Sequence, residues 1–264
     1  MELLRFELLL PGFALVLARV AGLMLSVPML ASSQIPRMAK AWLVVVLSLM
    51  AYPAVAPHLP ESLTLGEALA GMLGEFVIGE VLGLGVGMVF FAAQIAGQVV
   101  GHQSGLSLGQ VFNPLYDEES TVLDQVWFFA ALMVFLALRG HLAVVEALLR
   151  SFNQLPPMSL IVDLAWGDFL VALVQSVFET ALRLSGPAVL ALLLTSLIMG
   201  FLTKTMPQLN VLSVGFSLKI GVAFLMVAVT LSSSGGIIGD AAADGLNQVG
   251  LLFEHAASQV IHAG

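Results

Sequence analysis

Several residues have types and spacings that could carry chemistry. Gln94, Gln98 and His102 recur at four-residue steps in an apolar stretch, beside a ladder of small residues, Ala93, Gly97, Gly101 and Gly105. Polar side chains in an apolar helix must face protein or water rather than lipid. The stripe therefore reads either as the wall of an aqueous path or as a set of interhelical hydrogen bonds. His102 has no second histidine at metal-ligand spacing, so no metal site is expected. Gly105-Leu106-Ser107-Leu108-Gly109 matches G-x-S-x-G. That motif needs a strand–turn–helix elbow with a distant acid and histidine. Here it follows a long helical stretch, and its glycines read better as points where a loop bends and packs closely.

The charged residues point to structure. Glu75 and Glu80 stand about 140° apart on a helix, too far round to form a paired-carboxylate site. Glu80 is expected to pair with an arginine elsewhere. Gln175, Glu179 and Arg183 follow at four-residue steps, and Glu before Arg at i,i+4 is the favoured order for a helix pair. We read it as a structural pair on a buried or interfacial face. Lys204 and Lys219 flank the turn TKTMPQLN. Lys204 can snorkel to an interface, whereas Lys219, two turns inside its segment, needs a partner.

The elements that position these residues are helices. Of 264 residues, 59% are hydrophobic and 10% charged, and the mean hydropathy is +1.02. A soluble domain carries about a quarter charged residues, so part of this surface must meet lipid or other subunits. The net charge of −8 and nine scattered cations exclude a nucleic-acid partner. The absence of cysteine excludes disulfides and thiolate metal sites. The N-terminus lacks the basic flank of a secretory signal and reads as a retained helix. Cleavage near Ala31-Ser32 is the alternative.

Apolar segments are predicted at roughly 8–31, 39–57, 66–104, 123–138, 167–203 and 211–231, with a shorter helix at 142–152. Pro187 is a predicted kink. The SSSGG run at 232–236 is a predicted hinge before a weakly amphipathic tail. The segment at 66–104 is longer than one bilayer crossing and must tilt, break or leave the lipid. Its glycines Gly79, Gly83, Gly87, Gly97 and Gly101 let another backbone approach closely, in this chain or in another subunit. Arg37 and Lys40 place the first loop on the cytoplasmic side. Counting spans onward puts Arg139 and Arg150 outside, against the same rule, so some helices are not simple spans.

Three blocks carry a resemblance: AGQVVGHQSGLSLGQVFNP at 96–114, RGHLAVVEALLRSFNQLP at 139–156, and ALRLSGPAVLALLLTSLIMGFLTKTMPQLNVLSVGFSLKI at 181–220. With Arg19, Pro28, Pro36 and Arg37 they resemble the FliR family of the flagellar type III export gate, related to the injectisome SctT family, over about 10–230. The family often has arginine where this chain has Lys204, and a small polar residue where it has Arg139.

The resemblance implies an all-α integral membrane protein and a single FliR-like domain over 1–264. That domain would have a FliP-like front at 1–165, a FliQ-like hairpin at 175–231 and a tail at 232–264. It also implies a place in the bacterial inner membrane at the flagellar basal body. The implied partners are FliP-type, FliQ-type and FlhB-type subunits, exported unfolded proteins and membrane lipid, with no cofactor and no enzymatic activity. The loop holding Gly105, Leu106, Leu108, Gly109, Val111, Phe112 and Asn113 would then close the channel. A small-solute transporter and an intramembrane serine protease acting through Ser107 are the alternatives. The chain shows no clear midplane site with paired repeats for the first, and no strand elbow for the second.

Overall fold

The computed structural model describes residues 2–31, 35–59, 64–107, 121–160, 162–206 and 211–263. Among them the structure is all-α, without strands. The helices are α1 (Glu2–Ser26), α2 (Pro28–Ala31), α3 (Arg37–Val55), α4 (Leu65–Ser104), α5 (Val122–Ala137), α6 (Gly140–Gln154), α7 (Leu164–Thr205) and α8 (Val211–Ala263), with a 3-10 turn at Ala56–His58. Four of them, α3, α4, α7 and α8, are long and apolar enough to cross a membrane. The protein is a helical integral membrane protein.

Local chemistry sets the helix limits. α1 ends before Pro28, which has no N–H and disfavours helical backbone in the residue before it. Val27 separates it from α2, so the first segment is two helices, not one. α4 ends at Gly105, whose φ of 89° is accessible to glycine. There Gly105 N–H donates to the His102 carbonyl at 3.2 Å and Leu106 N–H to that of Gly101 at 3.1 Å, the paired bonds of a Schellman cap. Thr121 caps the start of α5 by accepting from the Asp124 N–H.

The predicted hinge at 232–236 is not a break. α8 continues through it for 53 residues. Ser232, Ser233 and Ser234 donate to the carbonyls of Val229, Thr230 and Leu231 at 2.7, 3.1 and 2.9 Å, so their hydroxyls are satisfied within the helix. Pro187, the predicted kink, lies inside α7, whose helix runs on past it. α4, with 40 residues, is about 60 Å long, about twice the hydrocarbon thickness. It meets that excess without breaking.

The chain divides into two compact units. The first contains residues 1–88, 139–174 and 242–264. Its core is α1 laid against α4, with Leu15, Leu23, Ile78 and Leu82 buried. Glycine permits the approach. A Cβ on Gly79 would meet the Arg19 carbonyl oxygen and stand 2.9 Å from the Leu23 nitrogen, and one on Gly83 would stand 2.8 Å from the Leu23 carbonyl oxygen. Phe13 of α1 packs edge-on against Tyr52 of α3, with centroids 5.9 Å apart. The second unit contains residues 89–138 and 175–241. Phe90 of α4 packs on Phe128 and Phe135 of α5, at 5.7 and 5.3 Å between centroids. On α7, Ala181, Leu184, Ala188 and Leu192 form a narrow buried stripe at helical spacing.

Two glycine substitutions should separate close packing from mere flexibility. Gly79→Ala forces α1 and α4 apart and should destabilise the chain by about 1–3 kcal/mol, as overpacked cores do. A Cβ on Gly236 meets nothing within 4 Å. Gly236→Ala should therefore be neutral or stabilise the isolated chain by up to about 1 kcal/mol. Thermal unfolding of the purified chain in detergent measures both.

Candidate functional site

The most completely satisfied polar cluster lies in the first unit, at two charges buried in apolar helices. Arg19 of α1 and Glu75 of α4 are both fully buried. Arg19 Nε donates to Glu75 Oε2 at 2.6 Å, and a terminal guanidinium nitrogen lies equally close to the same oxygen. That same terminal nitrogen donates to the Leu155 carbonyl at 3.0 Å, and the other donates to Ser151 Oγ at 3.1 Å. Ser151 in turn donates to the Leu148 carbonyl at 2.7 Å. The Phe152 ring covers the guanidinium at 4.0 Å, a cation–π contact. The second carboxylate oxygen accepts the Met158 N–H at 3.0 Å. Met158 has a φ of 69°, a conformation that costs a non-glycine residue about 1–2 kcal/mol. The carboxylate thus holds α1, α4 and the turn after α6 in one network.

Among the described residues Glu80 is not paired with an arginine. It accepts a hydrogen bond from Ser26, while Arg19 is engaged by Glu75. The position of α1 decided this: α1 brings Arg19 to Glu75 and Ser26 to Glu80. Sequence reasoning missed the Arg19–Glu75 pair, although two lone opposite charges in apolar helices were its signal.

In the second unit the loop after α4 is fixed at its stems. Gly97 and Gly101 lie against Asp124 and Thr121: a Cβ on Gly97 would stand 2.5 Å from the Asp124 nitrogen, and one on Gly101 2.8 Å from Thr121 Oγ1. The Thr121 hydroxyl also bonds the buried Asp124 carboxylate. Gly105 and Leu106 are half-buried in the turn. Leu108, Gly109, Val111, Phe112 and Asn113 lie outside the described residues. Ser107 follows a helix C-terminus instead of a strand, so the elbow that G-x-S-x-G demands is not formed.

Beside these stems the polar stripe comes to the surface. Gln98 and His102 are exposed and Gln94 is half-buried. His102 Nδ1 lies 2.7 Å from the Gln98 carbonyl oxygen. Gly87 is buried in α4. Glu179 and Arg183 form their pair at 2.6 Å with both side chains more than half exposed. A second pair of this kind, Glu146–Arg150 at 2.6 Å, lies on α6. Lys204 is exposed and Lys219 is half-buried. No ion pair is seen for Lys219 among the described residues.

The fold and this cluster define the class: a helical membrane protein with a self-satisfied ionic core and polar residues on open helix faces. The chain belongs to the bacterial export proteins, family 1, which match residues 10–244. It is 29% identical over 233 residues to the flagellar biosynthetic protein FliR of Bacillus subtilis, covering 85% of this chain and 87% of the relative. It is 29% identical over 222 residues to the protein of the same name from Escherichia coli, covering 80% and 81%. It is also 25% identical over 231 residues to the surface presentation of antigens protein SpaR of Salmonella typhimurium, covering 87% of each chain.

Removing one partner of the buried pair should be far worse than removing both. Glu75→Gln leaves the guanidinium buried without a counter-charge and should cost about 3–5 kcal/mol, whereas the double variant R19M/E75L should recover most of the loss. Unfolding temperatures of the two variants and the unaltered chain form the comparison.

Proposed function

We propose that this chain is the FliR-type subunit of a flagellar type III protein-export gate in the bacterial inner membrane, at the base of the flagellum. In this reading it joins FliP-type and FliQ-type subunits, contacts an FlhB-type subunit, and helps to line a conduit for unfolded export substrates. It performs no reaction of its own. Family membership and the FliR relatives support the flagellar assignment, with 29% identity to the Bacillus subtilis and Escherichia coli proteins against 25% to SpaR.

The observation that carries the subunit reading is the unequal burial of the long helices. The apolar window of α4 is 72% buried within the chain, but those of α7 and α8 are each 22% buried. The open face of α7 carries Gln175, Glu179 and Arg183. A charged pair in the middle of an apolar helix is unfavourable against lipid and belongs beside protein or water. Neighbouring subunits would supply that environment. The second part of the proposal concerns the loop from Gly105 to Asn113. Its stems are held by Gly97, Gly101, Thr121 and Asp124, and its sequence is apolar at Leu106, Leu108, Val111 and Phe112. A ring of such side chains closes a pore by excluding water.

Two measurements test these parts separately. Native mass spectrometry of the chain co-expressed with FliP- and FliQ-type subunits should give a stable mixed complex, and a persistent monomer would refute the subunit reading. Replacing residues 105–113 with a short polar linker should leave that complex intact and raise its ion leak in reconstituted vesicles. Unchanged leak in an intact complex would reject the seal.

A further inference from the structure

The open faces of the long helices differ in what they carry, and the difference bears on what covers them. α7 exposes Gln175, Glu179 and Arg183, and the end of α4 exposes Gln98, His102 and Gln103. α3 exposes nothing of the kind. Its buried stripe is narrow, formed by Ser48, Ala51 and Val55. Its serine is on that stripe, where Ser48 donates to the Val44 carbonyl at 2.7 Å. From Met38 to Ala54 every exposed side chain is apolar. Trp42, Leu49 and Met50 are 64, 63 and 72% exposed. The exposed charge of α3 is Arg37, at its first position, and Lys40 one turn on is half-buried and already engaged.

We propose that α3 is a helix through which this chain meets lipid. It crosses an anionic phospholipid bilayer, with Arg37 at the headgroups of one leaflet and the face from Met38 to Ala54 against acyl chains. Three features favour lipid over a protein neighbour. The face lacks any polar group that a partner helix would be needed to satisfy. Its 19 residues span about 28 Å, close to the hydrocarbon thickness of about 30 Å. A cation stands at one end, with Trp42 about a turn and a half inside it and Tyr52 near the other end, the order of charge and aromatic residues found at membrane interfaces. An anionic headgroup complements Arg37, and its attraction falls away within a Debye length. The same chain would then present α3 to lipid while the polar faces, at Gln175, Glu179 and Arg183 on α7 and at the end of α4, serve different neighbours. This assignment does not depend on the export-gate reading.

The chain has no cysteine, so a single nitroxide label can be placed without background substitutions. M38C, V46C and L49C would be labelled in membrane vesicles from cells producing the full chain with its partners. Collisions with oxygen should dominate those with a water-soluble nickel chelate at V46C and L49C. The depth read from their ratio should be greatest at V46C and fall at M38C. Low collision with both reagents would mean that protein covers the face, and high collision with nickel would mean that water does. Equal depth at all three would mean a helix lying along the surface. Each of these results overturns the proposal. For the headgroup contact, the purified chain in nanodiscs should melt higher in phosphatidylglycerol than in phosphatidylcholine. That gain should shrink in R37Q and persist in R37K; an undiminished gain in R37Q would refute the contact.

Discussion

A guanidinium and a carboxylate taken out of water together must meet, and every other donor and acceptor around them must be satisfied as well. Arg19 and Glu75 meet this demand through Ser151, the Leu155 carbonyl, the Met158 N–H and the face of Phe152. A pair of this kind adds little net stability compared with apolar residues of the same volume. Its value is in fixing geometry. The network is satisfied only when α1, α4 and the turn after α6 are all in register, so a slipped packing of α1 on α4 would strand a buried charge.

The glycines of α4 depend on that register. Gly79 and Gly83 admit the backbone of α1 where Arg19 and Leu23 pass. The same device recurs at Gly97 and Gly101, where α5 comes close at its capped start. Close backbone approach strengthens dispersion contacts in a setting where water supplies little driving force. α4 therefore serves as the chain's own core. The small-residue ladders are filled, at Gly79, Gly83, Gly97 and Gly101, by segments of the same chain.

The remaining long helices follow a different rule. α3, α7 and α8 keep most of their apolar surface open, and the side chains on the open faces sort by type. Charged and amide groups appear on α7 and at the end of α4, and α3 is apolar from Met38 to Ala54 among its exposed positions. Helices of similar hydropathy thus differ in what their open faces carry. Hydropathy averages over all sides of a helix and is blind to this sorting.

Most helix positions were legible in the sequence because their causes are local. Long apolar runs, the glycine that caps α4 and the Glu179–Arg183 spacing each act within a few residues; the break before Pro28 is as local, but it splits the segment expected at 8–31. The hinge expected at 232–236 failed for a local reason as well: serine hydroxyls can bond their own helix's carbonyls, and composition does not reveal which choice they make. Other questions depended on residues far apart in the chain. That Arg19 meets Glu75 instead of Glu80, across 56 positions, was set by how α1 lies on α4. Which glycines face a neighbour and which face open space was set the same way. Where helices form, and the chemistry they carry, follows from neighbours along the chain; which faces are spent inside the chain follows from the fold, because burial depends on what comes to lie alongside.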